Sequence, residues 1–241
     1  MKTKKICSAL ISASLALAMF FLPGCNNSFS GLDDLLSGLD GVVSQLESVS
    51  EDWSKYAEAR KGLTNYKIVL EMSSDGGNTS ELVEARTETG YAMIIGDNSV
   101  TYLEYGTNKV YSLNALDKTG TSFAIENEEA YSSFGTIASG YLFVFEAFRL
   151  LGAQKTGSDN IAGRDTDIYI YEMDGNECKF WLDSEYGMTL KSIVTSDGKT
   201  DYMEAKEFKI GGVILADVVD LGEYSVQDFS DMLEGFSEAM G

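Results

Sequence analysis

Histidine is absent from all 241 residues, and proline occurs once, at Pro23. Without an imidazole the chain has no Ser-His-Asp or Cys-His catalytic pair and no His-ligated zinc, copper or non-haem iron site. Cysteine is nearly as scarce: Cys7, Cys25 and Cys178. Cys178 alternates with Phe180 and Leu182 in a strand-like run, which reads as a buried structural thiol. Basic residues are outnumbered, 18 Lys and Arg against 38 Asp and Glu, for a net charge of −20. Such a chain repels nucleic acid, which proteins hold with Lys and Arg, so no nucleic-acid partner is expected. The acids are scattered rather than clustered, which fits solubility better than a basic partner. No Asp-x-Asp-x-Asp-Gly calcium loop occurs, so no metal and no cofactor is expected.

Long apolar runs are missing too, with one exception. After Lys2, Lys4 and Lys5 comes an uncharged run, Ile6 to Leu22, and then Pro23-Gly24-Cys25. A basic start followed by an apolar stretch has the form of an export signal. It is short and diluted for a spanning helix, which needs about 20 predominantly apolar residues. Leu22-Pro23-Gly24-Cys25 resembles the bacterial lipobox, in which the cysteine receives a diacylglyceryl group and becomes the new N-terminus. Residues 1–24 are therefore expected to be a lipoprotein signal, Cys25 the lipid attachment site and residues 25–31 a tether. A signal anchor that stays uncleaved is the alternative. Both place the domain outside the cytoplasm, at the cell membrane or an outer membrane. None of the 38 acids and three of the 18 basic residues fall in the first 24 positions, so the remainder carries a net −23.

Residues 32–241 are expected to form a single domain. From Leu32 the apolar positions Leu35, Leu39, Val42, Leu46, Val49, Trp53 and Tyr56 follow 3 and 4 spacing, a helix stripe. Beyond Thr64 the period becomes two: Tyr66, Ile68, Leu70 and Met72, then candidate strands over 81–87, 91–95, 100–105 and 110–113. The turns between them carry the Gly, Asn and Asp that hairpins demand. A second helical interval over 128–151 is apolar on nearly every side, which suits a buried or covering helix. Alternation resumes over 165–173, 178–183, 188–196 and 201–210. Residues 213–219 offer a last strand, and Ser225-Val226-Gln227-Asp228 reads as the start of a C-terminal helix. The sum is an α+β fold: an antiparallel, strongly curved, unclosed sheet with helices covering one face. Several strands are apolar on both faces, as in Phe180 and Leu182 against Trp181, which suits a sheet around an apolar hollow.

The segment IAGRDTDIYIYEMDGNECKFWLDSEYGMTLKSIV, residues 161–194, is similar to the second half of the bacterial outer-membrane lipoprotein-carrier (LolA/LolB-like) superfamily. The matching positions are Gly163, Arg164, Trp181, Asp183, Gly187 and Leu190. The resemblance implies an unclosed β-barrel lidded by helices, with an apolar hollow that takes acyl chains. It also implies that helix 131–148 belongs to the lid, so that Phe134, Tyr141, Phe145, Phe148 and, from the sheet, Trp181 line a ligand site.

Three functions compete. An anchored lipoprotein that binds a lipid or another apolar ligand is the first. An envelope interaction or sensor protein without ligand is the second, docking its partner, of unknown identity, through a sheet edge or the stripe from Leu32 to Tyr56. An enzyme is the third and is not expected. Its best carboxylate pairs are Asp165/Asp167 and Asp183/Glu185, and Ser196-Asp197-Gly198-Lys199 matches Ser-x-x-Lys without any companion motif.

Overall fold

A computed structural model describes residues 51–74, 77–125, 153–173, 176–196 and 198–229. Within them, helix α1 (Glu51–Lys61) precedes β1 (Tyr66–Ser74), β2 (Thr79–Thr87), β3 (Gly90–Ile95), β4 (Ser99–Glu104), β5 (Lys109–Asn114) and β6 (Thr119–Ala124). Then follow β7 (Gln154–Ile161), β8 (Arg164–Met173), β9 (Asn176–Asp183), β10 (Thr189–Ser196), β11 (Lys199–Ile210) and β12 (Ser225–Asp228). All twelve join one sheet in the order β12-β6-β5-β4-β3-β2-β1-β11-β10-β9-β8-β7. Two antiparallel meanders thus meet where β1 pairs with β11. The end strands β7 and β12 pair only inward, so the sheet is unclosed.

The period-two runs land on β1–β5 and β8–β11. Two strands carry no such signal. In β6 the sequence TGTSFA offers a single large apolar residue. In β7 every residue from Gln154 to Asn160 is exposed and only Ile161 is buried, so an edge strand leaves no alternation to read.

The chain after β11 differs from expectation twice. Residues 213–219 contain a 3-10 turn, Leu215–Asp217, in place of a strand. Ser225–Asp228 is extended, not the start of a helix, and pairs parallel to β6. The reason is tertiary: Val226 and its neighbours satisfy the outer edge of β6, an edge that would otherwise stand open. The rest of the expected C-terminal helix, the stripe before residue 51 and the interval 126–152 lie outside the described residues. Among the described residues α1 is the one α-helix. It covers part of the sheet through Tyr56, which is buried with Tyr169, Tyr171, Phe180 and Leu182.

Both faces of the β1–β6 meander are apolar. On one, Ala85, Ala92, Val100 and Leu113 pack against Val213, Leu215 and Val219. Residues 211–226 therefore act as an irregular strap over that face. Asn65 anchors the strap: its Nδ2 donates to the Val213 carbonyl at 3.0 Å, and the Val213 N–H donates to its Oδ1 at 2.9 Å. Fully burying a Val or Leu side chain contributes roughly 1.5–3 kcal/mol, so detaching the strap exposes several such contributions at once. Asn65→Ala is expected to destabilise the domain by about 1–3 kcal/mol, the cost of leaving buried polar backbone unpaired. Thermal unfolding, with limited proteolysis cutting first within 211–224, checks this.

Candidate functional site

The opposite face of the same meander holds the candidate site. Its register gives two adjacent lanes. Tyr66, Arg86, Tyr91, Leu103, Val110 and Phe123 stand side by side across β1–β6. The next lane runs Ile68, Glu84, Met93, Thr101, Ser112 and Thr121. The first is dominated by large apolar groups; the second turns to hydroxyls after Met93. Tyr91, Leu103 and Val110 form a buried nucleus, against which the half-buried Met93, Tyr105, Phe123 and Ile125 pack. Beyond β1 the lanes continue into a second cluster built on Tyr66, Ile68, Leu70, Leu190, Ala205 and Phe208.

Glu84 stands out in this setting. It is fully buried. The Tyr66 hydroxyl donates to its Oε1 at 2.5 Å, whereas Oε2 has no hydrogen-bond partner among the described residues. Burial pushes the Glu84 carboxyl up to about 8, against the Tyr66 hydrogen bond and the charges of Arg60 and Arg86, which favour ionisation. Desolvation therefore wins over two nearby cations. The Tyr66 hydroxyl is pushed well above its ordinary value, first by burial and then by the Glu84 charge. An unpaired buried polar atom costs roughly 1–3 kcal/mol.

A second cluster forms where β8 and β9 end. Arg164 donates from Nε to Asp183 Oδ2 at 2.8 Å and from Nη2 to Asp183 Oδ1 at 3.2 Å, and Nη2 also reaches Glu185 at 2.9 Å. Its hydrogen bonds to Asp183 and then Glu185, against the opposing effect of burial, raise the Arg164 guanidinium above its ordinary value. Asp183 also accepts the N–H groups of Glu185 and Tyr186, which closes the turn. Arg60 of α1 donates to the carbonyls of Tyr186 and Gly187. Gly187 has φ +63, and a Cβ there would lie 2.6 Å from the Tyr56 ring, so helix and turn touch backbone to ring. At the other end of Arg164, Ala162 and Gly163 both take positive φ in the two-residue turn between β7 and β8. The resemblance residues Gly163, Arg164, Asp183 and Gly187 thus converge on one structural joint between hairpin and helix. Beside it lies an open cleft of about 500 Å³, lined by Lys55, Ala59, Gly163, Arg164, Asp165, Ser184 and Glu185.

Of the residues expected to line a ligand site, Phe134, Tyr141, Phe145 and Phe148 lie outside the described residues, as does Cys25. Trp181 is described and buried. Its Nε1 donates to Asp159 at 3.1 Å, and the ammonium groups of Lys179 and Lys191 stand 4.7 and 5.1 Å from its ring centroid. By register it stands opposite Ile168 and Lys191, and it belongs to the same buried cluster as Tyr66, Ile68 and Leu190, into which the lanes continue. The nominated acids are occupied: Asp183 by Arg164, and Asp167 by Tyr56, Ser184 and Lys155. Burial raises the Asp167 carboxyl, but those three partners together hold it below its ordinary value. Ser196 and Lys199 are cross-strand partners in the β10–β11 hairpin. Among the described residues no three acids or cysteines gather as metal ligands, and no helix is long and apolar enough to cross a membrane.

No protein-family model matches this chain, and no curated protein does. Solved structures similar to it include MucB in complex with MucA(peri), 14% identical with a TM-score of 0.45 over 71% of this chain and 58% of that one. This chain thus spans 58% of the MucB chain's length. An uncharacterized conserved protein from Thermus thermophilus is 10% identical, with a TM-score of 0.43 over 74% of this chain and 99% of that one. The LolA superfamily protein NE2245 from Nitrosomonas europaea is 6% identical, with a TM-score of 0.29 over 68% and 96%.

Sequence reading missed Glu84. In ELVEART both alternating sets, Leu82/Glu84 and Val83/Ala85, contain apolar residues, so nothing in the pattern says which faces inward. The structure also gives it a measurable signature. A carboxyl kept protonated in the fold but ionised at its ordinary value in the unfolded chain binds more protons when folded. Stability then falls as pH rises from the ordinary glutamate value of 4.5 towards about 8, by up to about 1.4 kcal/mol per unit. Glu84→Gln is expected to remove that fall and to leave the variant more stable than the parent at pH 8–9. Denaturant titrations at several pH values between 4 and 9 check it.

Proposed function

We propose that this chain is an extracytoplasmic lipoprotein, anchored through acyl chains on Cys25, whose open sheet takes a lipid or another apolar molecule against the Tyr66–Phe123 lane. One observation carries the reading. The strap already buries the other face of β1–β6, yet the lane face carries a second apolar nucleus, Tyr91, Leu103 and Val110, beside which Met93, Tyr105, Phe123 and Ile125 are half-buried. A protein that needed only one packed face has no use for apolar residues on both. The aromatic residues Phe134, Tyr141, Phe145 and Phe148 supply further apolar cover in this reading, and Trp181 adds an aromatic face from the neighbouring cluster into which the lanes continue. No residue is assigned a catalytic role, since the carboxylates first nominated are engaged in structural bonds.

A second reading rests on β7. It is an edge strand, and seven consecutive residues, Gln154 to Asn160, are exposed. Such an edge accepts an added strand from a partner, which suits an envelope interaction or sensor lipoprotein.

Two measurements separate the readings. Cells expressing the full chain and fed a clickable fatty acid are expected to label it, and Cys25→Ser is expected to abolish the label; persistent labelling of the variant overturns the anchor. Mass spectrometry of solvent extracts from the purified protein is expected to find a co-purifying apolar molecule that Leu103→Asp loses. An empty wild-type protein overturns ligand binding and favours the edge-strand reading.

A further inference from the structure

The two lanes differ in chemistry, and Glu84 sits where they diverge. Its own lane passes from Ile68 through Glu84 and Met93 to Thr101, Ser112 and Thr121, while the neighbouring lane stays mostly apolar from Tyr91 to Phe123. A molecule lying across the strands would meet hydrocarbon on one side and hydroxyl or carboxyl groups on the other. Glu84 is fully buried, and its Oε2 lacks a partner among the described residues while its Oε1 is taken by Tyr66. Buried carboxyl oxygens are rarely left unpaired in folded proteins, and each one calls for an explanation.

We infer that Glu84 Oε2 is the hydrogen-bonding partner of the polar head of the ligand, and that this head is a neutral hydroxyl, as in a long-chain alcohol or a monoacylglycerol. This inference rests on the apolar-ligand reading above and adds the head-group chemistry to it. A carboxylate head fits poorly, because it brings no donor for Oε2 and places a second acid beside Glu84. A hydroxyl donates to Oε2 when Glu84 is ionised, and it both donates and accepts when Glu84 is protonated, so it serves either state. Burial that drives Glu84 towards its neutral form agrees with a neutral partner. Thr101, Ser112 and Thr121 continue the polar lane for the further hydroxyls that a glycerol head carries.

The test uses the purified full-length protein and two probes of nearly equal size, 1-octanol and 1-methoxyoctane, which differ in whether the head oxygen carries a donor. Titration calorimetry at pH 9, where Glu84 is ionised and Oε2 only accepts, is expected to show octanol bound about tenfold more tightly, the equilibrium worth of one buried hydrogen bond. Glu84→Leu is expected to bring the two affinities together. Glu84→Gln, whose one amide oxygen is held by Tyr66, presents an NH2 donor in place of Oε2 and is expected to lose the preference as well, and circular dichroism verifies that both variants fold. Infrared difference spectra of the wild type are expected to show a carboxyl C=O band that shifts with octanol and is missing in Glu84→Gln. Equal affinities for both probes in the wild type, or an octanol preference that survives in Glu84→Leu, overturn the Glu84 assignment and leave apolar binding standing. Failure of both probes to bind the wild type overturns both readings together.

Discussion

The β1–β6 meander is apolar on both faces, and this constraint governs the arrangement of the remaining chain. A sheet in water needs cover wherever it is apolar, because the hydrophobic gain scales with area removed from solvent. On one face the cover is the strap of residues 211–226, which turns back at Gly211 and Gly212, is caught by Asn65 at Val213, and closes by adding β12 alongside β6. The same strap thereby protects an edge strand, so one segment answers two exposures. On the other face Phe123 and Ile125, at and just beyond the end of β6, are half-buried, and the polar lane with Glu84 runs beside the apolar one, which makes the lane face the place to look for function.

The remaining half of the sheet is organised around charge rather than area. Arg164 and Asp183 form a two-point ion pair in which Asp183 is buried and Arg164 remains about a quarter exposed. A buried carboxylate with one bond would be a liability; this one accepts two bonds from the guanidinium and two from its own turn. With the acid fully satisfied, the desolvation cost is offset and the geometry of the turn is fixed. The turn in turn fixes α1, through Arg60 on its carbonyls and Tyr56 against Gly187. Glu84 is the opposite case, a buried acid with half of its bonding capacity unused among the described residues.

Legibility in the sequence follows the same division. Strands whose two sides differ, such as β1, announce themselves by period, and Gly/Asn/Asp turns mark most of their ends. Strands β6 and β7 do not: β6 carries a single large apolar residue, and β7, an edge strand exposed from Gln154 to Asn160, has no apolar phase to detect. Ser225–Asp228 misleads for a related reason: Ser-x-x-Asp is a local capping signal, but the open edge of β6 is a non-local demand and outweighs it. Residues Gly163, Arg164, Asp183 and Gly187 are recognisable as a pattern, and in this chain the pattern is the joint that ties the turn after β9 to α1 and to the β7–β8 turn. Glu84 is invisible in the sequence, since its significance lies in what surrounds it across three strands and not in its neighbours along the chain.

That difference bears on what an unpaired buried acid is for. If Glu84 served packing alone, leucine or glutamine would fill the site at lower cost, because the first removes the orphaned oxygen and the second removes the ionisation. If it served the fold as Asp183 does, its second oxygen would be bonded, and the same chain shows that it can bond a buried acid completely. A carboxyl that does neither among the described residues, set at the border between an apolar lane and a hydroxyl lane, has the chemistry that the proposed ligand's polar head would complement.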